Sequence, residues 1–92
     1  MEFTKLEKTV LRNYLPYQNA YDYGQCPMKV QDIGNKIWDN EKINLENKSI
    51  KGIVGSLVKK EILVADDSFI WLDDIFRDNE KRLNKLIIEV KN

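Results

Sequence analysis

The run from Ile50 to Leu72 constrains the fold of this chain more than any other stretch. Ile50, Ile53, Val54, Leu57 and Val58 recur at i, i+3, i+4, i+7 and i+8 without a gap, which lays one apolar stripe along a helix. Asn44 or Asn47 can cap that helix, and it runs to about Lys60. The period then changes. Ile62-Leu63-Val64-Ala65 and Phe69-Ile70-Trp71-Leu72 are β-prone runs separated by Asp66-Asp67-Ser68, a spacing that predicts a tight hairpin with a polar tip.

Three further helices are expected around this unit. Thr4 and Glu7 form a capping-box pattern for a first helix over residues 4–15. Its stripe is Phe3, Leu6, Val10 and Tyr14, with Leu11 and Leu15 at the flanks. Pro16, which has no N–H and disfavours helical geometry at Leu15, is expected to end it. The period resumes at Lys29 with Val30, Ile33 and Ile37, Trp38 lying beside them, and Asp39-Asn40-Glu41-Lys42 reads as a polar turn. Asp73 and Asp74 supply a cap and first-turn charge for a last helix whose stripe is Phe76, Leu83, Ile87 and Val90, flanked by Leu86. Ile88 falls off that stripe, and Arg77, Lys81, Arg82 and Lys85 take much of the remaining surface. Between the first two helices, residues 16–28 have no regular period and carry Tyr17, Tyr21 and Tyr23. With only Lys29 nearby and Asp22 among them, these rings fit core-edge packing or a protein contact better than base stacking.

The chain is thus expected to be mainly α with a small β-hairpin, a single domain over residues 1–92. Its 92 residues leave no room for a second core, and 42% hydrophobic with 33% charged residues marks a globular chain. No apolar run approaches the ~20 residues of a membrane helix, and MEFTKLEKTV lacks the apolar segment of a signal peptide. A cytoplasmic location without membrane contact is therefore expected.

Composition also narrows the chemistry. Histidine is absent, which removes the usual general base and nearly every zinc site. Cys26 is the only cysteine, so no internal disulfide forms, and it reads as a small half-buried side chain rather than a nucleophile. The pairs Asp66-Asp67 and Asp73-Asp74 suit turn and cap chemistry better than metal binding. No catalytic residue, metal or cofactor is expected. Fifteen basic residues balance fifteen acidic ones, so a strongly basic nucleic-acid binder is excluded while a local basic face is not.

Such a face lies on the third helix. At about 100° per residue, with the stripe centred on Ile50 and Leu57, Lys48, Gly52, Gly55 and Lys59 face away from the core, flanked by Lys51 and Ser56. Two outward glycines cost about 1 kcal/mol each relative to alanine, and close approach of another backbone is the natural reason for them. A DNA duplex, a protein partner and a merely solvated surface all remain open. Lys29 and Gln31 begin the second helix, whereas Lys5, Lys8 and Arg12 read as a solubilising surface.

The order helix, helix, helix, hairpin, helix resembles a winged helix-turn-helix domain of the MarR-like group of bacterial and phage regulators. Val30-Gln31-Asp32-Ile33-Gly34-Asn35-Lys36-Ile37 is similar to the positioning helix, with a small residue after the first buried Ile. The stretch from Asn47 to Val64, above all Leu57-Val58-Lys59-Lys60 followed by an apolar strand, resembles the recognition helix entering the first wing strand. Glu61 stands where that family usually has Gly, at a left-handed helix end. The resemblance covers most of residues 3–72 and implies a three-helix core, a two-stranded wing and an additional C-terminal helix over 73–91. That last helix either folds back or serves as a dimerisation arm.

The resemblance further implies a small transcriptional regulator that inserts the third helix into the major groove of double-stranded DNA, as a homodimer. Asn47, Lys48, Ser49, Lys51, Gly52, Gly55 and Lys59, with Lys29 and Gln31 at the start of the second helix, are its candidate DNA-binding residues. The zero net charge, the acidic hairpin tip and the tyrosines support a rival: a phage- or plasmid-encoded module that docks on a host protein and binds no DNA.

Overall fold

The computed structural model of the protein describes residues 2–19, 28–66, 69–77 and 79–91, the side chains of 16–19 and 77 apart. Helix α1 spans Lys5–Asn19. Thr4 and Glu7 begin it as a reciprocal box: the Thr4 N–H donates to Glu7 Oε1 at 2.8 Å and the Glu7 N–H to Thr4 Oγ1 at 3.1 Å. The helix does not stop at Leu15. It continues through Pro16, which withdraws a single hydrogen bond from the Arg12 carbonyl, while buried Val10, Leu11, Tyr14 and Leu15 hold the preceding turns.

The buried face of α1 is also wider than a single stripe. Leu6 is exposed, whereas Leu11 and Leu15, expected at the flanks, lie in the core with Glu7, Thr9 and Asn13. The cause is that α2, α3 and α5 all pack on α1.

Helix α2 spans Val30–Glu41 and buries Ile33 and Ile37, while Trp38 stays 51% exposed. It runs three residues past Trp38 because Asn40 and Glu41, expected in a turn, find tertiary partners: Asn40 Nδ2 donates to Asn13 Oδ1 at 2.8 Å, and Glu41 accepts from Arg12 at 2.8 Å. Lys42, in the left-handed region at φ 57°, ends it with its N–H on the Trp38 carbonyl.

Helix α3 spans Asn47–Lys59 and buries Ile50, Val54 and Leu57. Val58 lies at the edge of exposure, so the stripe is narrower on that side. Neither Asn44 nor Asn47 caps it; Glu46 holds the N-cap position and Asn47 is already helical. At the far end the Glu61 N–H reaches the Val58 carbonyl and the Ile62 N–H the Leu57 carbonyl, both at 3.0 Å. This is a Schellman ending, and Glu61 takes its left-handed position at φ 63°. A non-glycine residue there carries local strain.

Ile62 is buried and strand β1 begins one residue later than expected, at Leu63–Asp66, pairing antiparallel with β2, Phe69–Leu72. The register places Asp66 opposite Phe69 and Leu63 opposite Leu72, and turns Leu63, Ile70 and Leu72 into the core. Met28 adds an antiparallel bridge to β2 through mutual hydrogen bonds with Ile70 of 3.1 and 2.9 Å. The Tyr14 hydroxyl donates to the Ile70 carbonyl at 3.0 Å, tying the same strand to α1.

The C-terminal segment is two helices, α4 at Asp74–Arg77 and α5 at Glu80–Lys91. Asp73 Oδ1 accepts from the Ile75 N–H, the expected cap chemistry, but Asn79 starts a second helix by accepting from the Arg82 N–H. Leu86 and Val90 are the buried residues of α5, with Leu83 and Ile87 half-buried beside them, so its apolar stripe folds back on α1. Among the described residues the fold is mainly helical with a two-stranded antiparallel sheet. None of these helices is long and apolar enough to cross a membrane.

Candidate functional site

The core-facing stripe of α3 fixes what its other side presents. Ile50 and Leu57 are fully buried, and Asn47, Lys48, Ser49, Lys51, Gly52, Gly55 and Lys59 are all exposed. Lys29 and Gln31, at the start of α2, are exposed too. Among the described residues Lys48, Lys51 and Lys59 have no ion pair. A Cβ built on Gly52 or Gly55 meets nothing within 4 Å, so no packing inside the chain demands a glycine at either position. Gly34 is different: its Cβ would lie 3.1 Å from Ile50 Cδ1, so a side chain there would press on the contact between α2 and α3.

Two residues near this face belong elsewhere. The Ser56 hydroxyl is half-buried, 2.7 Å from Glu7 Oε2 and from the Ile53 carbonyl. Lys60, next to exposed Lys59, turns inward and places Nζ 2.6 Å from Glu7 Oε1. Burial pushes the Glu7 carboxyl up. The hydrogen bonds from Lys60, the Thr4 backbone and Ser56, together with the Lys60 charge, outweigh burial and hold it at about 2. Glu7 is therefore a charged interior anchor joining the start of α1 to the end of α3.

Arg12 corrects the expectation of a solubilising side chain. Its guanidinium bridges α1, α2 and α5, donating to Thr9 Oγ1, Glu41 Oε1 and the Val90 carbonyl. The Glu41 carboxyl lies below the usual range because the Arg12 hydrogen bond, aided by Asn13, overcomes burial. Lys29 is held as well: its N–H donates to Asp32 Oδ2 at 3.0 Å and its ammonium lies 5.4 Å from the Phe69 ring centre. Asp32 thus caps the Lys29 N–H at the start of α2.

One feature of this face escaped the sequence reading. Gln31 and Asn35 of α2, Asn44 and Leu45 of the connection, Asn47 of α3 and the exposed Trp38 line an open groove of about 450 Å³, with Gly34 among them. The i, i+4 spacing of Gln31 and Asn35 was a legible hint of a shared face. The contribution of Asn44 depended on the path of the connection.

Cys26, Tyr21, Tyr23 and Asp67 lie outside the described residues, as does the Tyr17 side chain. No protein-family model matches this chain, and neither a curated protein nor a solved structure matches it significantly.

Proposed function

We propose that the chain is a winged helix-turn-helix protein that binds double-stranded DNA through the outward face of α3. The carrying observation is that face: Lys48, Lys51 and Lys59 exposed and without ion pairs among the described residues, beside two glycines whose neighbourhood is open. Lysines there can neutralise phosphates, and bare backbone at Gly52 and Gly55 lets a second backbone come close. The close packing of α2 on α3 at Gly34, the direct run of α3 into β1 and the bridge from Met28 to β2 support the winged arrangement. A homodimer through the outer side of α5, where Ile88 is 62% exposed, would present two α3 helices to a palindromic site.

A second reading rests on the hairpin. Asp66, Val64 and Phe69 are exposed there, an acidic and apolar surface that suits a protein partner better than phosphate.

Fluorescence anisotropy with a random-sequence duplex at ~50 and ~200 mM salt separates the two readings. Affinity that collapses with salt, and weakens in a Lys48→Ala/Lys51→Ala variant, is the expected result. Unchanged binding in that variant removes α3 from the interface, and no binding at low salt by the folded protein leaves the protein-docking reading.

A further inference from the structure

The four carboxamides beside α3 have a chemistry that the lysines lack. Gln31, Asn35, Asn44 and Asn47 come from two helices and their connection, yet they line one groove. Among the described residues, none of their side chains is engaged in a hydrogen bond. Among the described residues no carboxylate or ammonium is among the side chains lining that groove, although the Lys42 ammonium lies 5.7 Å from the Trp38 ring centre. Its hydrogen-bonding groups are neutral amides, each offering a donor pair and an acceptor side by side. Two apolar side chains, the 51% exposed Trp38 and Leu45, complete it.

Of the four bases, adenine alone matches a carboxamide in bidentate fashion, since its major-groove edge pairs the N7 acceptor with the N6 donor. Guanine presents two acceptors and calls for a guanidinium or ammonium, while the methyl of thymine suits an apolar contact. Exposed Lys48 follows Asn47 directly, where it can hold an adjacent phosphate while the amides meet base edges.

We infer that the groove between α2 and α3 reads A·T base pairs from the major-groove side, with Gln31, Asn35 and Asn47 as the reading residues and Trp38 and Leu45 against thymine methyls. This rests on the reading of α3 as a DNA-binding helix and adds the class of sequence it selects.

The test compares two duplexes of equal length, one of mixed A·T pairs and one of mixed G·C pairs, by anisotropy at ~100 mM salt. The wild-type protein favours the A·T duplex by about tenfold, within the range of one good bidentate contact. A Gln31→Ala/Asn35→Ala/Asn47→Ala variant, changed only at exposed positions, loses that preference. So does the wild type on an A·T duplex built with 7-deazaadenine, which removes N7 and leaves the pairing edge intact. Equal wild-type affinity for both duplexes overturns the inference and leaves DNA binding in place, and a preference that survives the triple variant also overturns it. No binding to either duplex by the folded protein overturns the DNA-binding reading itself and the inference with it.

Discussion

Lys59 and Lys60 are neighbours in the chain but belong to regions that use polar groups in opposite ways. Lys60 joins Glu7, Thr4 and Ser56 in a cluster whose members satisfy one another across α1 and α3. Lys59 points outward with Lys48 and Lys51, beside two bare glycines and an amide groove that makes no hydrogen bonds of its own among the described residues. Where polar side chains find partners inside the chain they fix the fold. Where they are left exposed and clustered, they are available to another molecule.

The sharpest way to break this contrast is to remove Glu7. Glu7→Ala takes the carboxylate away from the Lys60 ammonium, the Ser56 hydroxyl and the Thr4 N–H, leaving Lys60 the Glu2 carbonyl and Ser56 the Ile53 carbonyl, and costs about 3 kcal/mol in urea denaturation. A loss below about 1 kcal/mol would place Glu7 with the exposed residues.

Acid should act on the same cluster. The Glu7 carboxyl is depressed from 4.5 to about 2 by folding, so its contribution is present above the unfolded value and lost as pH falls from about 5 towards 2. The loss is on the order of 3 kcal/mol, and Glu7→Gln removes this contribution from the acid limb of the stability curve.

Smaller effects belong to the outer face. Gly52→Ala and Gly55→Ala each gain up to about 1 kcal/mol, because a methyl there meets open space and alanine is the better helix former. Gly34→Ala gains less or loses, since Ile50 Cδ1 must give way. If Gly52 and Gly55 are kept bare for a partner, the stabilised double variant binds DNA more weakly than the wild type. Thermal melts and anisotropy on the same samples read both quantities. Smallest of all, Lys48→Ala/Lys51→Ala shifts stability by less than about 0.5 kcal/mol while lowering the salt slope of DNA binding by about 2.

How much of this was legible in the sequence varies with the physics of each element. The α3 stripe and the hairpin follow from strong local periods, and the outward lysines follow from the stripe by geometry alone. Local rules failed where tertiary contacts overrode them. The buried side chains of α1 carried the helix past Pro16, and the partners of Asn40 and Glu41 lengthened α2. The Met28 bridge has no sequence period, being a single residue pair. Asn79 breaks the last helix with a cap that competes with a continuous apolar pattern. At the site, helical phase placed Ser56 at the edge of the outer face, but it could not show that Glu7 would draw Ser56 and Lys60 inward. The amide groove depends on how the connection after Lys42 runs, and helical phase does not specify that path.

Backbone amide shifts of ¹⁵N-labelled protein, followed by NMR while a duplex is added at low salt, test the central claim most directly. The account predicts that Lys48, Lys51, Gly52 and Gly55 of α3, with Gln31 at the start of α2, move most, while Arg12 and Glu41 of the network joining α1, α2 and α5 stay still. Shifts clustered on α5 or the hairpin with α3 unmoved, or no shifts at saturating duplex, would contradict it.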